Sequence, residues 1–302
     1  MATITASMVK ELREKTSAGM MDCKKALTAS EGDMEKAVVW LREHGIAKAQ
    51  KKAGAVAAEG LCSFAQNGNK VVAFELNSQT DFVAQNQKFI DLLDEVGTVL
   101  AASNATNTEE ALQVVSNGKT LETIILEASG VIGEKISLRR VTVLNKNDNQ
   151  VFGLYKHMGG KIVAISLLNG NDEAIAKDVA MHVAANAPKF VKKDDISEDV
   201  IAKEREVILT TALNENAQAA KPKPENIIAE KIVPGRLEKS LKETCLLSQA
   251  FVKNPDQTVE AYVNSQKSAV VTFVRLEVGE GIEKVESDFA AEVAAQSAAF
   301  NK

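Results

Sequence analysis

The apolar residues of this chain change period along its length, and that change limits the folds open to it. Over residues 1–55 they recur at three- and four-residue steps: Val9, Leu12 and the Met20/Met21 pair, then Ala26 and Leu27, then Ala37, Val38 and Leu41. Gly19, Gly32-Asp33 and Gly45 punctuate this stretch, and Asp33 is suited to cap a helix. Three short helices are predicted. From Gly60 the pattern becomes β-prone. Gly60–Ala65 and Lys70–Leu76 flank Asn67-Gly68-Asn69, the strongest short-range signal for a β-hairpin. A chain that carries these two periods in blocks packs helices against sheets.

The helical period resumes from Thr80 to about Ala101, and two further helices are predicted near 108–116 and 120–132. Strands return at Ile136–Leu144, Val151–His157 and Lys161–Leu168, followed by a helix over roughly Asp172–Asn186. The strand-to-helix passage beginning Lys70-Val71-Val72-Ala73-Phe74 is echoed by Lys161-Ile162-Val163-Ala164-Ile165, which suggests two related strand-hairpin-helix units. From Ile196 to Ala217, and again from Ile227 to Leu241, each segment carries one narrow apolar stripe. The Lys221-Pro222-Lys223-Pro224 link between them predicts an antiparallel helical hairpin projecting from the body. Pro234-Gly235 is expected to interrupt the return helix. Val270–Leu276 reads as a strand, and Val285, Phe289 and Val293 have helical spacing.

Composition excludes several function classes. The 302 residues carry 36 Lys and Arg against 41 Asp and Glu, a net charge of −5, and aromatics make up only 4%. Neither duplex nucleic acid nor a stacking platform for single strands is suggested. Residues 1–55 hold ten basic and seven acidic side chains, so the acidity lies in the remainder. Three cysteines without a C-x-x-C pair fit neither a disulfide framework nor a zinc ribbon. No targeting or membrane-spanning pattern stands out, so the expected location is cytoplasmic.

Local motifs for chemistry fail one by one. Gly118-Lys119-Thr120 lacks the upstream glycine of a phosphate loop, and Gly279-Glu280-Gly281 lacks the third glycine of a dinucleotide fingerprint. His44, His157 and His182 have no partner at metal-ligand spacing. Cys23 beside Lys24 and Lys25 is read as a small helix thiol, and Lys48, Lys51 and Lys52 as a solvated face. No catalytic residue, metal ligand or cofactor site is assigned, and the chain is not expected to be an enzyme.

Three longer stretches, Leu12–Leu27, Asn77–Ala84 and Val278–Val285, together with Met181–Ala185 and Gly235–Lys239, resemble the elongation factor Ts family. These are the guanine-nucleotide exchange factors of elongation factor Tu. The resemblance spans nearly the whole chain in the family's order. It implies an α+β fold: a ubiquitin-associated-like three-helix docking module (1–55) and two similar α+β core subdomains, N (56–140) and C (141–189 and 244–280). It further implies a helical hairpin used for dimerisation (190–243) and a C-terminal helical module (281–302). It places Asp81 and Phe82, with Thr80 and Val83 completing the motif, at the partner's Mg²⁺ site. Leu12, Arg13, Met20 and Met21 are implied as the N-terminal docking face, and His157 as a further contact. The chain departs from the family pattern at Ser17, Pro234 and Ala250. The alternative reading is a helical scaffold without exchange activity.

Overall fold

The computed structural model describes residues 3–16 and 18–283. Ser17 and most of the 281–302 segment therefore lie outside the described residues. The contacts divide the chain into two units. The first comprises the chain up to Leu144, Gly159–Lys161 and the chain from Leu276.

The first unit begins with helices α1 (Ala6–Thr16), α2 (Met20–Ala29) and α3 (Met34–Lys51). Asp33 caps α3 by accepting from the Lys36 amide at 3.0 Å. Val9, Leu12, Cys23, Ala26, Leu27 and Ala37 form the core of this helical group. Strands β1 (Glu59–Asn67) and β2 (Lys70–Ser78) pair antiparallel from Glu59↔Ser78 to Asn67↔Lys70, leaving Gly68-Asn69 as the loop.

The helix expected from Thr80 to Ala101 is in fact two: α4 (Asp81–Ala84) and α5 (Gln87–Ala102). Asn86 breaks it by capping α5, its side chain accepting from the Lys88 amide at 3.0 Å. The apolar period runs straight across this break and hides it.

Next comes α6 (Thr108–Gln113), shorter than expected because Val115 and Ser116 (β3) turn back onto Lys119 and Thr120 (β4). Gly118-Lys119-Thr120 is thus the return of a small hairpin, and Thr120 caps α7 (Leu121–Ile132). Strand β5 (Ser137–Asn145) completes a sheet of order β1-β2-β5. Val72, Phe74 and Leu76 of β2 face Phe89, Leu93, Val96 and Leu100 of α5 in the main core. Helices α3 and α7 cross closely: a Cβ on Gly130 would lie 2.6 Å from the Gly45 backbone. Glycine at this position allows the two backbones to approach.

The central strand β2 also buries a charge. Glu75 is fully buried and takes hydrogen bonds from Arg139 Nη1 at 3.1 Å, Arg140 Nε, the Gly279 amide at 2.8 Å and Asn77 Nδ2 at 2.9 Å. A buried carboxylate is tolerated only with such pairing. Gly279 has φ 72°, and a Cβ there would meet the Ala58 carbonyl at 2.3 Å, so only glycine serves.

The second unit comprises Asn145–Met158 and Ile162–Arg275. Strands β6 (Gln150–His157) and β7 (Ile162–Asn169) form an antiparallel hairpin, and α8 (Glu173–Asn186) follows, capped by Asp172. Helix α9 (Glu198–Ala217) is answered by α10 (Glu225–Ile227) and α11 (Val233–Thr244). Two strands, β8 (Ala250–Phe251) and β9 (Asn254–Thr258), lead into α12 (Val259–Ser265). The strand β10 (Ala269–Glu277) completes a sheet of order β10-β7-β6. In both sheets the second strand of a hairpin is central and leads into helix.

Helices α9 and α11 pair as an antiparallel hairpin with its own small cores. Ile196, Leu241 and Cys245 form one, and Ala212, Ile228 and Val233 the other. The α pattern of the return helix is interrupted ahead of Pro234, as expected, although the chain keeps a helical course. Ile228–Ile232 form a π turn just before it, and Ile227, Ile228, Ile232 and Val233 all keep right-handed helical angles. A wider turn accommodates a ring that would otherwise clash one α-turn back.

Candidate functional site

The segment Thr80–Val83 divides its labour by burial. Thr80 ends β2's extended run, and its hydroxyl accepts from the Val83 amide at 3.4 Å, capping the single turn of α4. Val83 packs against the main core, and Ala84 is buried. Asp81 and Phe82 point outward, and Phe82 is 81% exposed. Leaving a phenylalanine in water forfeits roughly 1.5–3 kcal/mol of burial. One helical turn has almost no stability of its own, so Phe82 is presented by its anchored neighbours.

A second exposed apolar site lies at the turn after β6. His157 is exposed, its Nδ1 3.3 Å from the Tyr155 hydroxyl. Met158 is 71% exposed and held at φ 47°, in the left-handed region. The structure assigns His157 to the second unit and Asp81 and Phe82 to the first.

The N-terminal set is divided. Met20 and Met21, on the first turn of α2, are 59% and 64% exposed, and Arg13 is exposed. Leu12 is fully buried in the three-helix core. Its placement on a docking face is therefore corrected: Leu12 holds the module together, because the α1 face that carries Val9 and Leu12 turns inward.

Sequence reasoning missed what fixes these groups. Glu134 accepts hydrogen bonds from the Thr80 amide at 3.0 Å and the Thr80 hydroxyl at 2.8 Å. The next amide, Lys135, donates to Gln79 Oε1 at 3.2 Å. Nothing local in the sequence links positions 54 residues apart. The role of His182 was also missed: it is fully buried, its Nδ1 accepting from the Val252 amide at 3.1 Å. Its Nε2 lies 2.8 Å from Gln249 Oε1, which makes it the donor there. Burial pushes the His182 pKa below the usual histidine value, partly offset by the Gln249 bond.

Met20, Met21, Phe82 and Met158 are thus large apolar side chains held out into solvent on anchored elements. A family model described as Elongation factor TS matches residues 79–280, starting one residue before Thr80. The curated "Elongation factor Ts" of Acholeplasma laidlawii (strain PG-8A) is 52% identical over 295 residues, covering 97% of this chain and 99% of that protein. The chain belongs to the elongation factor Ts family. Among the described residues, no helix is long and apolar enough to cross a membrane.

Proposed function

We propose that this chain is a guanine-nucleotide exchange factor in the cytoplasm. It binds GDP-loaded elongation factor Tu, disturbs the Mg²⁺ and phosphate site, and promotes GDP release during translation elongation. The observation that carries this reading is Phe82, exposed on a one-turn helix whose other residues are anchored. Phe82 wedges among the partner side chains that support the metal, and Asp81 disturbs the charge arrangement there.

No bond is made or broken in this process, so no residue is assigned to catalysis and no cofactor is needed. The requirement is differential binding: the nucleotide-free partner must be held more tightly than the loaded one. A thousandfold weakening of GDP corresponds to about 4 kcal/mol. That exceeds what one phenylalanine supplies. Arg13, Met20 and Met21 on the N-terminal helices, and His157 with Met158 on the β6–β7 turn, are the further contacts in this reading. The hairpin α9–α11 serves self-association, and Val200 and Val207 remain exposed on α9 for that purpose. Neither nucleic acid nor membrane is a direct partner.

The test is release of fluorescent GDP from purified elongation factor Tu. Added in substoichiometric amounts, this protein should accelerate release of the whole nucleotide pool. Binding without acceleration would identify a scaffold instead.

A further inference from the structure

We propose that Glu134 is a positioning residue for nucleotide exchange, acting through Thr80 to hold the turn that presents Asp81 and Phe82. This rests on the exchange reading above.

Hydrogen-bond direction gives Glu134 this role. A threonine hydroxyl has one proton to give. In this structure the Thr80 hydroxyl gives it to Glu134 Oε1 at 2.8 Å, which leaves a lone pair for the Val83 amide. The cap of α4 therefore depends on where the Thr80 proton goes, and the Glu134 carboxylate decides that. The same carboxylate takes the Thr80 backbone N–H at 3.0 Å, so one side chain fixes both the main chain and the rotor of the capping residue. Bonds to an ionised acceptor are stronger than neutral ones.

The surroundings hold Glu134 in turn. Helix α7 ends at Gly133, whose left-handed conformation turns the chain back toward β2. Lys135 fastens the same stretch twice, its amide to Gln79 and its Nζ to the Ala55 carbonyl at 2.9 Å. Ser78 adds a bond from its hydroxyl to the Thr80 carbonyl at 2.9 Å. The four-residue α4 is otherwise held through the packing of Val83 and the burial of Ala84, while its cap bond is long and its two outer side chains touch water. Without Glu134 the hydroxyl is released to other acceptors, and the Phe82 turn becomes one conformation among several. A partner that needs it must then select it from a smaller population.

The experiment is exchange kinetics with the full chain and GDP-loaded elongation factor Tu. Glu134→Ala should lower the maximal exchange rate about tenfold, the size expected for losing a charge-assisted hydrogen bond. The half-saturating concentration should change little, because the other docking surfaces are intact. Glu134→Gln keeps one acceptor and should fall between, and it carries the test should the alanine variant fail to fold. In an Asp81→Ala/Phe82→Ala background, Glu134→Ala should cost nothing further, since it acts through the residues already removed. Amide hydrogen exchange at Thr80 and Val83 should accelerate in Glu134→Ala alone. Wild-type exchange by Glu134→Ala, or an equal loss in the double-substituted background, would overturn the role of Glu134. If the Asp81→Ala/Phe82→Ala protein were slow in that first case, the site itself would stand. Wild-type exchange by Asp81→Ala/Phe82→Ala would sink both.

Discussion

At the residue scale, burial separates side chains that neighbour one another in sequence. Phe82 and Val83 are both apolar and adjacent, yet one faces water and the other the core. Glu75 and Phe74 are adjacent too, and both are fully buried, but on opposite faces of β2, one among arginines and one among α5 side chains. His182 shows what such burial does to titration. Its folded-state pKa lies below the usual value near 6.5, so protons favour the unfolded chain. Stability is then full above about pH 6.5 and declines as pH falls toward the folded pKa, by up to about 1.4 kcal/mol per pH unit. Urea unfolding of the second unit should show lower stability at about pH 5.5 than at about pH 7.5. In His182→Gln that part of the dependence should vanish. An unchanged pH dependence in the variant would assign it to other groups.

At the element scale, the N-terminal helices combine a buried and a displayed set. Leu12→Ala removes a fully buried side chain and should destabilise the three-helix group by about 2–5 kcal/mol. Met20→Ala/Met21→Ala removes exposed side chains and should leave thermal unfolding nearly unchanged while weakening binding to elongation factor Tu. Calorimetry on both variants separates packing from docking. Weakened folding with full binding in the methionine pair would reverse the assignment.

These helices, the β1–β2 hairpin, α8 and the α9–α11 pair were legible in the sequence because each repeats its period over several turns or residues. The break at Gln85-Asn86 was not, since Phe82, Val83, Phe89 and Ile90 keep the helical period across it. The two-residue strands β3, β4 and β8 were too short to carry a pattern. At Pro234 the sequence showed a breaker, but not the π turn that absorbs it. Of the candidate site, Thr80–Val83 was found through family resemblance. The Glu134 clamp, made by folding across 54 residues, left no local trace.

At the scale of the whole molecule, the hairpin is the element with the least claim on the body. Its apolar residues are spent largely on its own two cores, and its base is tied by Lys189, Phe190, Val191 and Leu246 backbone bonds. Replacing 196–243 with a short Gly/Ser link keeps that base. Sedimentation of the spliced protein should show loss of a dimer that the full chain forms as concentration rises, with GDP exchange retained. A spliced protein that still dimerised, or a full chain monomeric at high concentration, would remove self-association from the hairpin.

Exchange requires this protein to distinguish the loaded from the empty partner. The most direct measurement is the affinity for elongation factor Tu, by calorimetry, without nucleotide and with saturating GDP and Mg²⁺. The affinity should be on the order of a thousandfold higher without nucleotide, because the coupling must match the loss of GDP affinity. Equal affinities in the two conditions would contradict the exchange reading, since a ligand that binds both states alike shifts neither.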